Sequence, residues 1–263
     1  MARVRPGAAA NPAPPTVQRV RLRFAKRGRL RFLSHRDVAR SFERAVRRAG
    51  IPVSHSHGFS PHPRLSWVGA APTGSASEAE YLEIGLTREL DPETVRAALD
   101  AALPDGLDVL EAVVASPPGL PERIDAGLWS LVVAGLPVAE VADAVARLMA
   151  EETLVVVRIT PSGRREIDVR AALVALSVEA GDGATPDGAA PRTAGAADDC
   201  AILTAVVRQT TPTVRPDDVL SALTVVAGLT PPVPVKATRL AQGLLDDGGN
   251  LADPLGAAPV TRV

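Results

Sequence analysis

Histidine is the residue type in this chain that is most concentrated where chemistry could occur. All four histidines fall between residues 34 and 64: His35, His55, His57 and His62. Imidazole has an ordinary pKa of about 6.5, so it is a common group for proton transfer and metal ligation. His55 and His57 would share one face of an extended segment, and with His62 they would resemble a three-histidine zinc site. No C-x-x-C or H-E-x-x-H pattern accompanies them. We therefore assign no metal site, and whether His55 and His57 bind a metal stays open.

The second candidate is the start of a basic helix. Ser34 is a typical N-cap, and Asp37 stands three residues later, where a capping-box acid belongs. Capping alone explains Asp37, but it does not explain His35. A neutral imidazole beside a helix N-terminus, which favours anions, could bind a phosphate or carboxylate group. His35 and Asp37 are therefore the candidate catalytic residues.

The third candidate is the loop from residue 55 to residue 64. Gly58 permits backbone conformations that other residues avoid. Pro61 and Pro63 fix φ and hold the residues before them extended. Such a braced loop, presenting His62 and Arg64, favours ligand binding over a simple turn.

Charge is distributed unevenly along the chain. Residues 1–64 hold 15 basic and 2 acidic residues, a local charge of +13, and the remaining residues carry −14. This asymmetry favours an anionic partner for the N-terminal part, with nucleic acid first. Alternatively, the two parts neutralise each other, or the arginines form a solvated helix face. The candidate phosphate contacts lie on the first strand and the basic helix: Arg19, Arg21, Arg23, Arg40 and Arg44.

Composition excludes several classes of protein. The single cysteine, Cys200, excludes an internal disulfide and an iron–sulfur cluster held by this chain's own thiolates. No signal peptide is visible, and no apolar run is long enough to span a membrane. We expect a cytoplasmic protein without a membrane partner.

The order of predicted elements indicates an α+β fold. Alternating apolar and polar residues mark strands, and helices begin at Ser34 and at Asp91–Pro92, giving the order β-α-β-β-α-β over 17–116. This is a ferredoxin-like, split βαβ domain. A similar order over 117–245 predicts a degenerate second ferredoxin-like domain. Compositional bias predicts a disordered basic arm at 1–16, a disordered insertion at 180–199 and a flexible tail at 246–263.

Three segments together resemble a known family. They read RLRFLSHRD from Arg29, SHGFSPHPR from Ser56 and SEAEY from Ser77. This combined signature is similar to the radical-SAM-associated family also called the domain of unknown function 2344. His35 and His62 match its motif, whereas His55 and His57 stand where it usually has other residues. With the motifs, the resemblance makes these the expected substrate-binding residues: Arg36, Ser56, Gly58, Phe59, Pro61, His62, Pro63, Arg64, Glu80 and Tyr81.

The resemblance also implies a partner. Members of this family are encoded beside a radical S-adenosylmethionine enzyme or fused to one. The expected cofactors, S-adenosylmethionine and an iron–sulfur cluster, would therefore be bound only by that partner. We expect an accessory subunit that binds substrate, with RNA as the substrate to be modified. The alternatives are a stand-alone RNA-modifying enzyme of the pseudouridine-synthase type, with Asp37 as nucleophile, and a non-catalytic adaptor.

Overall fold

The computed structural model describes residues 14–57, 60–161, 163–181 and 200–256. Within these residues, the first half contains four strands, two helices and a short 3-10 helix, η1. These are β1 (Gln18–Lys26), η1 (Gly28–Phe32), α1 (His35–Arg48), β2 (Leu65–Val68), β3 (Ala76–Leu86), α2 (Pro92–Asp100) and β4 (Val109–Val114). A second 3-10 helix, η2 (Leu120–Arg123), connects the halves.

The described part of the second half adds seven strands and three helices. They are β5 (Ala126–Ala134), α3 (Val138–Ala150), β6 (Val155–Thr160), β7 (Gly163–Asp168), α4 (Val169–Ala172), β8 (Leu173–Ala180), β9 (Cys200–Arg208), α5 (Pro216–Ala227), β10 (Lys236–Leu245) and β11 (Leu251–Ala252). Strands β6 and β7 form a separate two-stranded sheet.

The other nine strands of the described residues form one sheet that runs through both halves. Its main order is β4-β1-β3-β10-β5-β9-β8, with β2 on β3 and β11 on β10. The strand pairs are antiparallel except at the seam, which is the junction where β10 runs parallel to β3 and the two halves meet. The last long strand of the chain therefore completes the sheet between the halves. The predicted α+β class is confirmed by this large, mostly antiparallel sheet and by the five helices in the described part of the chain.

Apolar alternation explains which face of the sheet the helices cover. Val20, Leu22 and Phe24 on β1 are buried with Phe42 of α1 in the first core. A second core joins β5 and β9 to α3 and α5. The opposite face, which we call the open face, is partly covered because Leu120 and Ile124 pack on Ala79 and Tyr81.

Caps predicted from the sequence delimit the helices. Ser34 caps α1 by accepting from the Asp37 N–H, and Asp91 caps α2 by accepting from the Thr94 N–H. Gly50 follows α1 with φ of +65°, which suits glycine at a helix end.

Residues 51–55 form isolated bridges, Val53 to Leu86 and His55 to Pro63. One boundary differs from the sequence-based expectation. The tail expected to be flexible from residue 246 contains β11, because Leu251 is buried and pairs with Leu245. Most of the expected N-terminal arm and of the insertion lies outside the described residues. Among the described helices, none is long and apolar enough to cross a membrane.

Candidate functional site

Asp37 is held as a capping residue. The Ser34 hydroxyl donates to Asp37 Oδ2 at 2.6 Å, and the Asp37 N–H donates to Ser34 Oγ at 3.3 Å. The hydrogen bond from Ser34 holds the pKa of the Asp37 carboxyl below its ordinary value. These contacts account for the S-H-x-D spacing through helix capping. A nucleophilic role for Asp37 stays a prediction.

His35 lies at the edge of an aromatic cluster. Its ring is 5.4 Å from that of Trp67 on β2, with the planes at 88°. Trp67 in turn makes edge contacts with Phe24 and Phe42 in the first core. Packing on Trp67 therefore places the imidazole on the helix-covered side of the sheet, while His35 as a whole remains exposed.

The loop that carries His62 is closed by its own hydrogen bonds. The Ser56 N–H donates to the His62 carbonyl at 2.8 Å, and the His62 N–H donates to Ser56 Oγ at 3.0 Å. Arg64 Nε donates to the His55 carbonyl at 3.2 Å. The exposed Pro61 and the half-buried Pro63 lie in the same loop. Its other two expected binding residues, Gly58 and Phe59, lie outside the described residues.

His62 and His35 belong to opposite faces of the sheet. A cavity of about 280 Å³ is lined by His62 and Arg64 together with Arg19 and Glu83. Glu83 pairs with Arg21 on the open face, whereas His35 packs on Trp67 on the helix-covered face. The contacts of the described residues thus do not bring the two motif histidines into one site.

The arginines of β1 face acids on neighbouring strands. Arg19 and Arg21 both pair with Glu83, at 2.8 and 3.1 Å, and Arg23 pairs with Glu111 at 3.3 Å. The Arg21 side chain is only 4% exposed and also donates to the Pro118 carbonyl. While these contacts hold, Arg21 has little surface to offer a phosphate. Phosphate contact by Arg19 and Arg23 stays a prediction.

Exposed positive charge is concentrated instead on α1. We define the α1 arginine surface as Arg36, Arg40, Arg44, Arg47 and Arg48, all of which are exposed. Next to it in sequence, η1 presents Arg29, Arg31 and Phe32. Phe32 is 59% exposed, and the Arg31 guanidinium lies 4.7 Å from its ring centroid. Cations beside an exposed aromatic ring suit a single-stranded nucleic acid.

A buried polar cluster joins the halves at the seam. Arg239 of β10 forms an ion pair with Glu80 of β3, and Arg239 Nε donates to Ser77 Oγ at 3.3 Å. The second Glu80 oxygen accepts from the Ala71 N–H at 3.1 Å. Glu80, expected to bind substrate, thus has protein partners for both oxygens. Tyr81, its neighbour, is buried on the open face, where burial raises the pKa of its phenol.

Lys26 extends this cluster. Its Nζ donates to the carbonyls of Ala71 and Pro72, at 3.3 and 3.2 Å. Burial lowers the pKa of Lys26, although the nearby Glu80 charge opposes this shift. Sequence reasoning missed both Lys26 and Arg239. The signal for Lys26 was weak, because β1 also carries Arg19, Arg21 and Arg23. For Arg239 it was a charged residue between the apolar residues of β10, since charged residues are rare in buried positions unless they are paired.

The seam also contains a cavity of about 340 Å³, which we call the seam cavity. Trp129, Arg239 and Gln242 line it and are buried, whereas Arg208 and Arg215 line it and are exposed. The Arg239 guanidinium lies 5.4 Å from the Trp129 ring centroid. None of these five residues was a sequence-based site candidate.

Gly69 allows the loop after β2 to close over the seam cavity. Its φ is +58°, and a Cβ there would lie 2.6 Å from Gln242 Oε1. Glycine therefore meets two requirements, a left-handed backbone and close approach to Gln242. The Gln242 side chain is held from the other end, since Nε2 donates to the Ala79 carbonyl at 2.6 Å.

Together these features define an α+β protein with a cationic helix surface and a polar cavity between two halves of one sheet. The chain belongs to the family described as uncharacterized proteins conserved in bacteria (DUF2344), whose profile matches residues 19–216. No curated protein matched the chain. Across the described ranges, no group of three or more His, Cys, Asp or Glu residues is arranged to hold a metal ion.

Proposed function

We propose that this protein is an RNA-binding accessory subunit of a radical S-adenosylmethionine enzyme, and that it presents RNA for modification. The observation that carries RNA binding is the α1 arginine surface beside the exposed Phe32. Arginine side chains neutralise phosphates and release counterions, which gives affinity that depends on salt. An exposed aromatic ring adds stacking on a base.

The finer architecture also belongs to this proposal. In the first half β4-β1-β3-β2 are neighbours, and in the second β10-β5-β9-β8 are neighbours. Both orders arise from a β-α-β-β-α-β sequence when the β6–β7 hairpin and α4 are taken as an insertion. We infer two ferredoxin-like halves, the second degenerate.

The distribution of charge favours the helix-covered side as the RNA contact. On the open face, Arg21 is buried against Glu83 and the η2 segment covers Tyr81. On the helix-covered side, the α1 arginines are exposed. RNA therefore contacts α1 and η1 in this proposal, rather than the open face of the sheet.

The partner enzyme is proposed from the family resemblance. One cysteine, Cys200, is buried, and a cluster of a radical S-adenosylmethionine enzyme needs several thiolates. This count is consistent with S-adenosylmethionine and the iron–sulfur cluster being bound by the partner. Co-purification with the enzyme encoded nearby is the direct measurement of this association.

RNA binding is tested by reversing charge on one stripe of α1. The triple variant Arg36→Glu, Arg40→Glu, Arg44→Glu changes three positions spaced four residues apart, which share a helix face. Fluorescence anisotropy with a labelled single-stranded RNA, at several salt concentrations, measures affinity. We expect at least about a tenfold loss and a salt slope smaller by about 2, since each phosphate contact contributes about 0.7 for single strands.

The control is the pair Arg164→Glu and Arg165→Glu, two exposed arginines on the β6–β7 hairpin. We expect that pair to keep most of its affinity. If the α1 variant binds RNA as tightly as the wild-type protein, or if the wild-type protein shows no affinity at low salt, RNA binding through α1 is wrong.

A further inference from the structure

The seam cavity has the dimensions and lining of a ligand site. Its volume of about 340 Å³ lies within the range of about 300–1,000 Å³ that is typical of small-molecule pockets. Trp129 supplies a buried aromatic wall, and Arg239 and Gln242 supply buried polar groups. An apolar wall with a few fixed polar groups is the usual composition of such a pocket.

Two polar atoms in the cavity have hydrogen-bonding capacity left. Arg239 uses Nε and Nη2 for Ser77 and Glu80, and within the described residues its Nη1 has no partner. Gln242 uses Nε2 for Ala79, and within the same residues its Oε1 accepts no hydrogen bond. Neither of these two atoms is sealed from solvent. A donor and an acceptor are therefore open to the cavity.

The charge of the lining favours an anion. Arg208, Arg215 and Arg239 line the cavity, and the described lining contains no acidic side chain. Glu80 balances Arg239, and Asp125 lies 3.4 Å from Arg208. Among the described residues Arg215 forms no ion pair, so its positive charge remains in excess, and like Arg208 it is exposed and lines the cavity.

We propose that the seam cavity binds one nucleotide, with its phosphate at Arg208 and Arg215 and its base against Trp129. Arg239 Nη1 would donate to the base edge, and Gln242 Oε1 would accept from it. A base edge presents adjacent acceptors and donors, which this pair of atoms matches. The fixed guanidinium and the indole face also suit stacking on a planar ring.

This inference deepens the proposed function and rests on it, because the nucleotide would belong to the RNA that α1 contacts. The two surfaces are connected by the loop after β2. Gly74 of that loop donates to the Arg31 carbonyl of η1 at 2.8 Å, while Pro72 and Gly69 of the same loop line the cavity. A strand held by η1 and α1 would need only to cross this loop to place one nucleotide in the cavity.

The test uses Trp129 as a reporter. The chain has two tryptophans, so Trp67→Phe leaves Trp129 as the only one. The four nucleoside 5′-monophosphates are titrated against this variant while tryptophan emission is recorded, and calorimetry on the unmodified chain repeats the titration without any substitution near the first core. We expect saturable quenching by at least one monophosphate.

Charge reversal at the two exposed arginines of the cavity lining tests where the phosphate binds. The double variant Arg208→Glu, Arg215→Glu should lower the affinity for the monophosphate by about tenfold or more, because hydrogen bonds to charged groups are lost. The control variant, Arg164→Glu with Arg165→Glu, should leave the affinity for the monophosphate unchanged. The proposal would be overturned if neither the monophosphates nor RNA caused tryptophan quenching or a calorimetric binding signal. It would also be overturned if the Arg208→Glu, Arg215→Glu variant bound the monophosphate as tightly as the wild-type protein. Inorganic phosphate that binds as tightly as the monophosphates would show that no base is recognised.

A single-stranded oligonucleotide distinguishes the two sources of a nucleotide. Quenching by the oligonucleotide supports a unit of RNA, whereas quenching by monophosphates alone assigns the cavity to a free nucleotide. The two failures can be told apart: if only the cavity inference holds, the monophosphates quench Trp129, but the α1 triple variant binds RNA as tightly as the wild-type protein. Conversely, RNA affinity that depends on α1 without any response of Trp129 would overturn the cavity inference alone.

Discussion

Glu80 and Arg239 form an ion pair across the seam, although 159 residues separate them in sequence. Their side chains are 7% and 5% exposed, so both charges are removed from water. Each depends on the other, because an unpaired buried charge is costly. The pair thus links the stability of the first half to a strand near the end of the second.

Removing one partner should therefore destabilise the protein strongly. We expect Glu80→Ala to lower the free energy of unfolding by about 3–5 kcal/mol, the usual cost of leaving a buried charge unpaired. Urea denaturation measures it. The matched control is Glu93→Ala, which removes a carboxylate from the exposed pair with Arg96. A loss no greater than that of the control would show that the seam pair does not stabilise the fold.

Lys26 should make stability depend on pH in the alkaline range. Because burial lowers its pKa in the folded state, the unfolded chain binds more protons between that lowered pKa and 10.5. The free energy of unfolding of the wild-type protein should then rise with pH across this window, relative to Lys26→Met. Urea denaturation of both proteins from pH 7 to pH 10.5 measures the difference. A difference that stays constant with pH would contradict the shift.

Asp37 should stabilise the fold at neutral pH and lose this effect in acid. Its folded-state pKa lies below the ordinary value of 3.8, so the stabilisation is complete above that value. It is lost as the pH falls through the lower folded-state pKa. The difference in unfolding free energy between wild type and Asp37→Asn should therefore be larger at pH 6 than at pH 2.

Ser34→Ala is the matched control for this cap. It removes the hydroxyl that Asp37 accepts from and should cost about 1 kcal/mol at pH 6. Asp37→Asn also examines the enzyme alternative. Full function of that variant in a cell-based RNA modification assay would exclude Asp37 as a nucleophile.

Phe32 should contribute to RNA affinity without contributing to stability. Its ring is 59% exposed beside Arg31, so its truncation uncovers little of the core. Phe32→Ala should weaken the binding of single-stranded RNA by about 1–3 kcal/mol, the usual contribution of one aromatic–base stack. Val225→Ala, at an exposed position on α5, is the control. Equal affinities of the two variants would place RNA away from η1.

Gly69 should tolerate a side chain less well than another glycine of similar conformation. Gly69 and Gly50 have φ of +58° and +65°, so alanine costs about 1–2 kcal/mol of backbone strain at either. At Gly69 the new Cβ must also displace Gln242 Oε1, whereas at Gly50 no atom of the described residues lies within 4 Å. Thermal denaturation should therefore show a larger loss for Gly69→Ala. Equal losses would mean that Gln242 moves freely.

Local features of the fold could be predicted from the sequence. The alternation in β1 placed Val20, Leu22 and Phe24 in the core, and the Ser34 cap fixed the start of α1. These depend on neighbouring residues, whose spacing determines which side chains share a face. The same alternation did not predict that Glu83 and Glu111 would neutralise the β1 arginines, because pairing between strands depends on register.

The seam could not be predicted in this way. Arg239 and Gln242 contribute to the cavity only because β10 lies between β3 and β5, a relation between distant segments. The motif around Glu80 and Tyr81 indicated that this part of β3 matters. It did not indicate that Glu80 binds an arginine of the same chain rather than a substrate.

The position of β10 also affects how the protein is made. Domains generally fold from the N-terminus during synthesis, so β3 is complete long before β10 leaves the ribosome. Until then the nascent chain has an open strand edge and a carboxylate, Glu80, that lacks its arginine. An open edge invites pairing with other chains. The family profile ends at residue 216, ahead of β10, so a protein shortened to that boundary would retain this vulnerable intermediate as its final state.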